Sequence, residues 1–376
     1  MSLRAGIVGC GGISRSHAKA YRHLPDVSLV ALCDIDKERL RLLAADHDIS
    51  ACYTDYRNMF NSEKLDLVSV CTHAPLHAPV TFAAAEAGID VLCEKPLSLD
   101  LENADQMVKK CQDAGVRLAV SHQHRFMPVF RLAKEWIDSG RIGALRSIRE
   151  VGKGREAGFE LMEMGVHYFD ELDFFMGNIS WVHAQVSFKD HEVDVDDIMY
   201  SNELCESDRR DNGIVAGDTM LIQLGSEAGT SGLIELYKRP NRQNWIAGPH
   251  ILGDEGQLMI KASPEANVDV LWYCPNDISL AADTPAWKPI PVPIESLMIN
   301  GQSWPARSSI WSVLDMVTAI REDRQPELGE YRALTSLECV SAVYESHFRG
   351  RRISLPMNDR RHPLRKRRPD LDVVIK

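Results

Sequence analysis

The sequence predicts an α/β N-terminal domain with a doubly wound parallel sheet, followed by an α+β C-terminal domain with an open, largely antiparallel sheet. Up to about residue 122, short apolar runs alternate with segments of helical spacing, which is typical of strand–helix–strand units. After residue 125, strand-like runs follow one another with turns between them. Because 376 residues are too many for one hydrophobic core, we expect domains over 1–122 and 123–356 and a basic tail over 357–376.

Five apolar runs in the first domain predict strands, at 3–9, 27–34, 65–72, 89–94 and 116–122. They are continuous rather than alternating, which is typical of a sheet that is covered on both faces. Helical spacing between them predicts helices at 38–48, 78–88 and 102–115. Asp100 is available as the N-cap of the last of these helices, and Gly115 as the residue just past its C-terminus.

The second domain begins with a predicted helix at 130–140 and continues with strands and turns. The expected strands are at 145–151, 181–188, 218–225 and 230–237, with a hairpin at 250–260 and helices near 310–322 and 331–348. The polar segment 201–213 is expected to be a long loop. The tail is expected to be a solvated terminus or an arm that grips a neighbouring subunit.

Composition excludes several classes of protein. A net charge of −11 argues against a nucleic-acid-binding protein, which would present a basic face. Apolar stretches are too short to span a membrane, and the N-terminus lacks the pattern of a signal peptide. The nine cysteines contain no C-x-x-C pair, so we expect reduced thiols in a cytoplasmic protein and no metal site.

The first strand runs directly into "GCGGIS", residues 9–14, a loop that favours dinucleotide binding. Gly9 permits a tight turn, and Gly11 lets the backbone approach a pyrophosphate, while the third position needs a small side chain and holds Ser14. Gly12 and Ile13 complete the loop, and the following helix would offer its N-terminal N–H groups to the phosphates. Alone, such a loop is also compatible with a simple glycine-rich turn.

Asp34, at the end of the second strand, strengthens this interpretation. A carboxylate there accepts hydrogen bonds from the ribose diol of NAD and repels the 2′-phosphate of NADP. NAD is therefore the expected cofactor, with NADP less favoured, although Lys37 and Arg39 lie nearby. Asp36 fits the cap of the next helix better than Asp34 does.

Two further strand ends carry polar residues that we expect near a cofactor, because ligands bind beyond the carboxyl ends of parallel strands. "CTHAPLH" supplies Thr72 and His77, and "VLCEKPLSLD" supplies Glu94 and Lys95. Pro96 biases Lys95 towards an extended conformation. From spacing alone, Lys95 could equally be a solvated loop lysine.

From "GIVGCGGIS" through "AAAEAGIDVLCEKPLS" to residues 319–356, the chain resembles the family of glucose–fructose oxidoreductase, inositol dehydrogenase and MocA (GFO/IDH/MocA). The resemblance implies a Rossmann domain in which Lys95, of the E-K-P tripeptide, lies beside the nicotinamide and contacts the reacting oxygen. Burial beside an oxidised nicotinamide ring would also disfavour the protonated form of such a lysine.

A second family motif, D-x-G-x-H-x-x-D, resembles "EMGVHYFD" at 163–170. On a helix, Glu163 and His167 share a face, and Asp170 lies three residues beyond. Without the resemblance, His167 fits a core or helix-end residue better than a catalytic one. With it, His167 is expected to transfer a proton and Glu163 to orient it or a substrate hydroxyl. Glu163 stands where the family has Asp.

Four residues are expected to contact substrate: His124, Arg125, Arg155 and Asp170. The resemblance brings His124 and Arg125 to the active site. An equal alternative is that, of His122 and His124, one is a buried, hydrogen-bonded histidine and the other a rim residue. The predicted function is an NAD-dependent dehydrogenase of a sugar, cyclitol or related polyhydroxy compound. The alternatives are a lyase or glycosidase that oxidises its substrate transiently through bound NAD, or a non-catalytic dinucleotide sensor. A homodimer or homotetramer is implied by the resemblance.

Overall fold

The computed structural model describes residues 2–205, 212–238, 248–261, 270–276, 287–304 and 308–371. It divides into two compact units, one of residues 1–123 with 308–337 and one of residues 124–307 with 338–376. The segment 308–337, which we placed in the second domain, thus belongs to the first unit. The boundary between the two units, after residue 337, falls inside one helix, Glu330–Arg349.

In chain order, the helices of the described residues are α1 Ser14–His23, α2 Lys37–His47, α3 Tyr56–Ser62, α4 His77–Glu86, α5 Leu101–Ala114, α6 Pro128–Asp138, α7 Ala157–Glu160, α8 Val166–Met176, α9 Ser201–Leu204, α10 Ile310–Arg321 and α11 Glu330–Arg349. The strands are β1 Leu3–Val8, β2 Val27–Cys33, β3 Ala51–Tyr53, β4 Leu67–Val70, β5 Asp90–Cys93, β6 Leu118–Val120, β7 Leu145–Val151, β8 Ile179–Phe188, β9 His191–Glu192, β10 Met199–Tyr200, β11 Ile214–Val215, β12 Thr219–Ser226, β13 Ser231–Tyr237, β14 His250–Gly253, β15 Gly256–Lys261, β16 Val270–Pro275, β17 Lys288–Ile290, β18 Met298–Ile299, β19 Gln302–Ser303 and β20 Ile353–Ser354.

The first unit is built on a parallel sheet whose described strands run in the order β3-β2-β1-β4-β5-β6. Every residue of β4, β5 and β6 is buried, as the continuous apolar runs predicted. The order reverses between β1 and β4, where Ala5 pairs with Leu67 and Val8 with Val70. This is the switch point at which open α/β sheets bind ligands. The short strand β3 was missed in the sequence because it spans three residues.

Helix caps in this unit follow the predicted chemistry. Asp100 accepts a hydrogen bond from the Asn103 N–H at the start of α5, and Gly115 ends that helix with a φ of 69°. The Asp36 carboxylate accepts from the N–H groups of Glu38 and Arg39 and so caps α2. These caps fix where the helices begin, and they leave Asp34 outside α2.

The second unit is built on a sheet with the strand order β17-β16-β15-β14-β7-β13-β12-β8-β20 in the described residues, with β9 paired to β8. All of its pairs are antiparallel except β7 with β13. The predicted hairpin at 250–260 is confirmed as β14 and β15. Buried and exposed residues alternate along β12, because one face packs under helices and the other is open. The predicted loop 201–213 begins instead with α9, and residues 206–211 lie outside the described part.

The basic tail packs against its own unit as far as the structure describes it. Leu364 is fully buried and Met357 nearly so. Arg360 pairs with Glu338, while Lys366 and Arg367 pair with Glu345 of α11 at 3.3 and 3.1 Å. Residues 357–371 are therefore held by α11 rather than solvated. None of the helices in the described ranges is long and apolar enough to cross a membrane.

Candidate functional site

The loop after β1 has the shape that a dinucleotide pyrophosphate requires. Gly9 has a φ of 92°, and a Cβ there would lie 2.6 Å from the carbonyl oxygen of Cys71, so only glycine fits. A Cβ on Gly11 or Gly12 would meet no heavy atom within 4 Å, which leaves open space over the loop. The N-cap of α1 is Ile13, whose apolar side chain cannot cap the helix, so its first N–H groups are available to phosphate.

Asp34 ties this loop to the end of β2. Its Oδ2 accepts from the Cys10 N–H at 2.6 Å, and its Oδ1 accepts from the Asp36 N–H at 2.7 Å. A carboxylate has about four acceptor positions, so these two bonds leave capacity for a ribose diol. At the neighbouring strand end, the buried Oγ1 of Thr72 makes no hydrogen bond within the described residues. An unsatisfied buried hydroxyl is costly, and a bound cofactor could satisfy it. The residues present therefore fit NAD.

Lys95 follows β5 at the same edge of the sheet. β5 pairs in parallel with β4, and β4 with β1, so their carboxyl ends lie side by side. The Lys95–Pro96 peptide bond is cis. Lys95 is partly buried, whereas Glu94 before it is buried. The three segments that sequence reasoning selected in this unit, after β1, β4 and β5, are thus brought together.

Glu94 is buried and has a partner inside its own unit. Its Oε1 lies 2.9 Å from Nε2 of His17, and Nδ1 of His17 lies 3.0 Å from the Ser69 hydroxyl. Burial alone would raise the pKa of Glu94, but hydrogen bonds and charge from His17, with the charge of Lys95, leave the pKa below its ordinary value. The structure gives Glu94 a buried partner, because a carboxylate needs hydrogen bonds once it leaves water. Its expected contact with the cofactor stays a prediction.

The imidazole ring of His77 contacts the backbone of two loops. Its Nδ1 lies 2.7 Å from the carbonyl oxygen of Pro96, and its Nε2 lies 3.1 Å from that of Thr72. Burial lowers the pKa of His77, although both carbonyls oppose this. Both ring nitrogens thus face backbone oxygens, and the ring connects the loops that carry Thr72 and Lys95. The expected cofactor contact of His77 stays a prediction.

In the second unit, the segment that carries Glu163 and His167 is one continuous run of helix. α7 passes through a π-helical turn, Leu161–Gly165, into α8. Glu163 lies in this turn and is partly exposed, whereas His167 is buried on α8. The regular α-helix that we expected between them is therefore wrong. π turns occur often at functional sites because they re-aim side chains.

Arg125 and Asp170 are paired with each other. The Arg125 Nε donates to Oδ2 of Asp170 at 3.0 Å and Nη2 donates to Oδ1 at 2.5 Å, and both side chains are 1% exposed. In this buried bidentate pair, these acceptor and donor groups are engaged with each other. The expected substrate contacts of Arg125 and Asp170 stay predictions. Arg155 is partly exposed, and its guanidinium lies 5.3 Å from the Phe159 ring centroid.

Sequence reasoning missed two buried carboxylates here. Glu160 is fully buried and accepts from the N–H groups of Lys153 and Arg155 and from the Tyr168 hydroxyl, so it fixes the loop that presents Arg155. Glu171 lies 2.5 Å from Nδ1 of His124. Its position four residues after His167 was a usable signal.

Burial, then the charges of Glu160, Glu150 and Glu171, raise the pKa of Tyr168 well above its ordinary value.

Comparison with known proteins agrees with an NAD-binding first unit. Residues 3–122 match the model of an oxidoreductase family with an NAD-binding Rossmann fold. D-apiose dehydrogenase from Paraburkholderia graminis is 28% identical over 94% of this chain and 90% of its own length. Myo-inositol 2-dehydrogenase from Thermotoga maritima is 28% identical over 63% of this chain and 69% of its own.

A solved structure of levoglucosan dehydrogenase in complex with NADH has a similar fold. Its TM-score is 0.78, with 95% of this chain and all of that chain covered, at 19% identity. At this identity the similarity bears on the fold alone. The predicted fold class, a doubly wound α/β unit with a largely antiparallel α+β unit, is confirmed.

Proposed function

We propose that this chain, whose residues 3–122 match the GFO/IDH/MocA model of NAD-binding oxidoreductases, oxidises a CH–OH group of a sugar, cyclitol or related polyhydroxy compound. The observation that carries this proposal is the position of Lys95, which follows β5 at the same sheet edge as the glycine loop after β1. The named relatives, a D-apiose and a myo-inositol dehydrogenase, support this substrate class.

Gly9, Gly11, Gly12 and Ile13 would hold the pyrophosphate, and Asp34 the adenosine ribose. Bound there, NAD supplies a hydride acceptor. The Lys95 ammonium stabilises negative charge as it develops on the substrate oxygen. His167 takes the hydroxyl proton, and the partly exposed Glu163 orients His167 or a neighbouring hydroxyl.

The test is turnover of NAD with D-apiose, myo-inositol and levoglucosan, followed by the absorbance of reduced nicotinamide. We expect Lys95→Ala and His167→Asn each to lower kcat by ~10²–10⁴-fold while NAD affinity, measured by calorimetry, stays largely intact. Lys109→Ala is the matched control, because Lys109 is exposed on α5 and pairs only locally with Asp113. Full activity of Lys95→Ala would refute the assigned role.

The same assay separates the alternatives. Stable accumulation of reduced nicotinamide indicates a dehydrogenase. Product without such accumulation indicates a lyase or glycosidase with an internal redox cycle, a reading that Glu163 at the family's Asp position keeps open. NAD binding with no turnover of any compound indicates a sensor.

The open face of the second-unit sheet supports a proposed homodimer or homotetramer. It exposes the apolar residues Leu221 and Tyr237 on the neighbouring strands β12 and β13, and Leu252 on β14. Exposed apolar residues on a sheet face are typical of a protein–protein interface. Sedimentation velocity of Leu221→Glu/Tyr237→Glu should show smaller species than the wild type. A monomeric wild type would contradict the proposal.

All nine cysteines are free, which supports a reducing, cytoplasmic location.

A further inference from the structure

The short turn Gln123–Phe126 is fixed to α8 by two neighbouring polar contacts, one histidine–carboxylate contact and one ion pair. His124 pairs with Glu171, and the next residue, Arg125, pairs with Asp170, each with a closest contact of 2.5 Å. The side chains are 12% exposed for His124 and 3% or less for the other three. Adjacent residues of the turn thus bind adjacent residues of the helix, which sets both the position and the orientation of the turn.

His124 also lies flat against His167. The two ring centroids are 4.3 Å apart and the ring planes differ by 15°. Because His167 and Glu171 are one helical turn apart on α8, one imidazole can reach both. The edge of the His124 ring meets the Glu171 carboxylate, and its face covers the ring of His167. Phe130 lies near His124 too, with 6.0 Å between ring centroids.

We propose that His124, held by Glu171, is a positioning residue for His167. Rotation of an imidazole about its second side-chain torsion is broad when nothing restrains it. A parallel ring at stacking distance removes most of that freedom, because turning the His167 ring would drive it into His124. The stack therefore fixes the direction in which the His167 ring nitrogens point.

This direction matters because proton transfer needs a donor and an acceptor in hydrogen-bond reach and alignment. The inference rests on the proposed function, in which His167 takes the hydroxyl proton. His124 would act only through His167, by its ring plane, and Glu171 only through His124. The role is thus distinct from a direct contact with substrate, which the sequence suggested for His124.

The experiment compares His124→Ala, which removes the ring, with the double variant His124→Phe/Glu171→Gln. The double variant keeps an aromatic plane against His167 and removes the carboxylate that would otherwise lose its partner. Steady-state kinetics are measured with NAD and D-apiose, then with myo-inositol and levoglucosan. His183→Ala, on β8, is the matched histidine control, and thermal unfolding of each variant reports folding.

We expect His124→Ala to lower kcat by ~10–100-fold with little change in KM, since small misplacements of catalytic groups cost about this much. In the double variant, kcat should return most of the way to the wild-type value. Equal losses in both variants would overturn the proposal, because His124 would then act through its polar atoms. Unchanged kcat in His124→Ala, with His167→Asn inactive, would overturn it while leaving the proposed function intact.

A second readout does not depend on the substrate. The NMR signal of the His167 Cε1–H group, assigned by its loss in His167→Asn, should carry a ring-current shift from the stacked His124. That shift should vanish in His124→Ala and persist in the double variant. An unchanged signal in His124→Ala would also overturn the proposal. Full activity of His167→Asn would instead refute the proposed function, and the positioning role would fail with it.

Discussion

His17 and Glu94, the residue before Lys95, form a buried hydrogen bond, with 2.9 Å between Nε2 and Oε1. His17 is fully buried, and the Ser69 hydroxyl joins its Nδ1 to the hydroxyl of Tyr21. Through these two contacts, His17 of α1 is linked both to β4 and to Glu94, the residue that precedes Lys95. A carboxylate in such a position is stable only while its partner remains.

Removing His17 should therefore change how stability depends on pH. The folded-state pKa of Glu94 lies below the ordinary 4.5, so its contribution to stability is present above pH 4.5 and is lost as the pH falls through the folded-state value. His17→Gln removes the main cause of the lowered pKa. Urea unfolding at a series of pH values should show a shallower acid slope and, at neutral pH, a loss of ~3 kcal/mol.

The control for this prediction is Glu38→Gln. Glu38 also has a lowered pKa, caused by hydrogen bonding and charge from Arg41, but it is fully exposed and screened by solvent. Its replacement should leave the acid slope nearly unchanged. If His17→Gln retains the wild-type slope, then the bond to His17 does not govern the titration of Glu94.

Asp34 should determine the choice between NAD and NADP. Asp34→Asn keeps an acceptor oxygen for the loop but removes the charge that repels a 2′-phosphate. We expect the ratio of kcat/KM for NAD over NADP to fall by ~10–100-fold, the worth of a charge-assisted hydrogen bond. Asp36→Asn, which alters only the α2 cap, should leave the ratio unchanged. An unchanged ratio in Asp34→Asn would contradict the assignment.

The Arg125–Asp170 pair should be structural. Arg125→Met leaves the Asp170 carboxylate buried without its bidentate partner, so unfolding free energy should drop by ~3–5 kcal/mol. Arg125→Met/Asp170→Leu should recover much of this loss, because an apolar pair needs no hydrogen bonds. Thermal unfolding and KM are measured together, with the exposed Arg41→Ala as the control. A large rise in KM for a stably folded double variant would support the substrate role that the sequence suggested.

Leu364 should anchor the C-terminal segment to its unit. The side chain is fully buried, so Leu364→Ala should lower unfolding free energy by ~2–5 kcal/mol. Leu42→Ala removes the same atoms from an exposed position on α2 and should cost far less. Denaturant midpoints check both variants. Equal midpoints would mean that residues 357–371 contribute nothing to folding.

Local patterns in the sequence were sufficient to predict many of the strands and helix caps of this protein. The strands β1, β2, β4, β5 and β6 and the caps Asp36 and Asp100 follow from apolar runs and from side chains that bond to nearby backbone. The loop at Gly9 follows from its position between a strand and a helix. Each of these depends on residues close together in the chain, which is why periodicity and turn chemistry predict them.

What a buried polar side chain binds was decided only by tertiary structure. Glu94 and His77 were selected as polar residues at strand ends, and Arg125 and Asp170 through the family resemblance. In the structure each is matched with a partner distant in sequence, or with backbone carbonyls, because a buried charge or donor must be hydrogen-bonded wherever the chain can provide a partner. The sequence by itself therefore determined the fold class, the cofactor loop and Lys95 at a strand end. The stacking of His124 on His167 and the partners of the buried charges depend on which distant segments meet, and only the packed structure decides that.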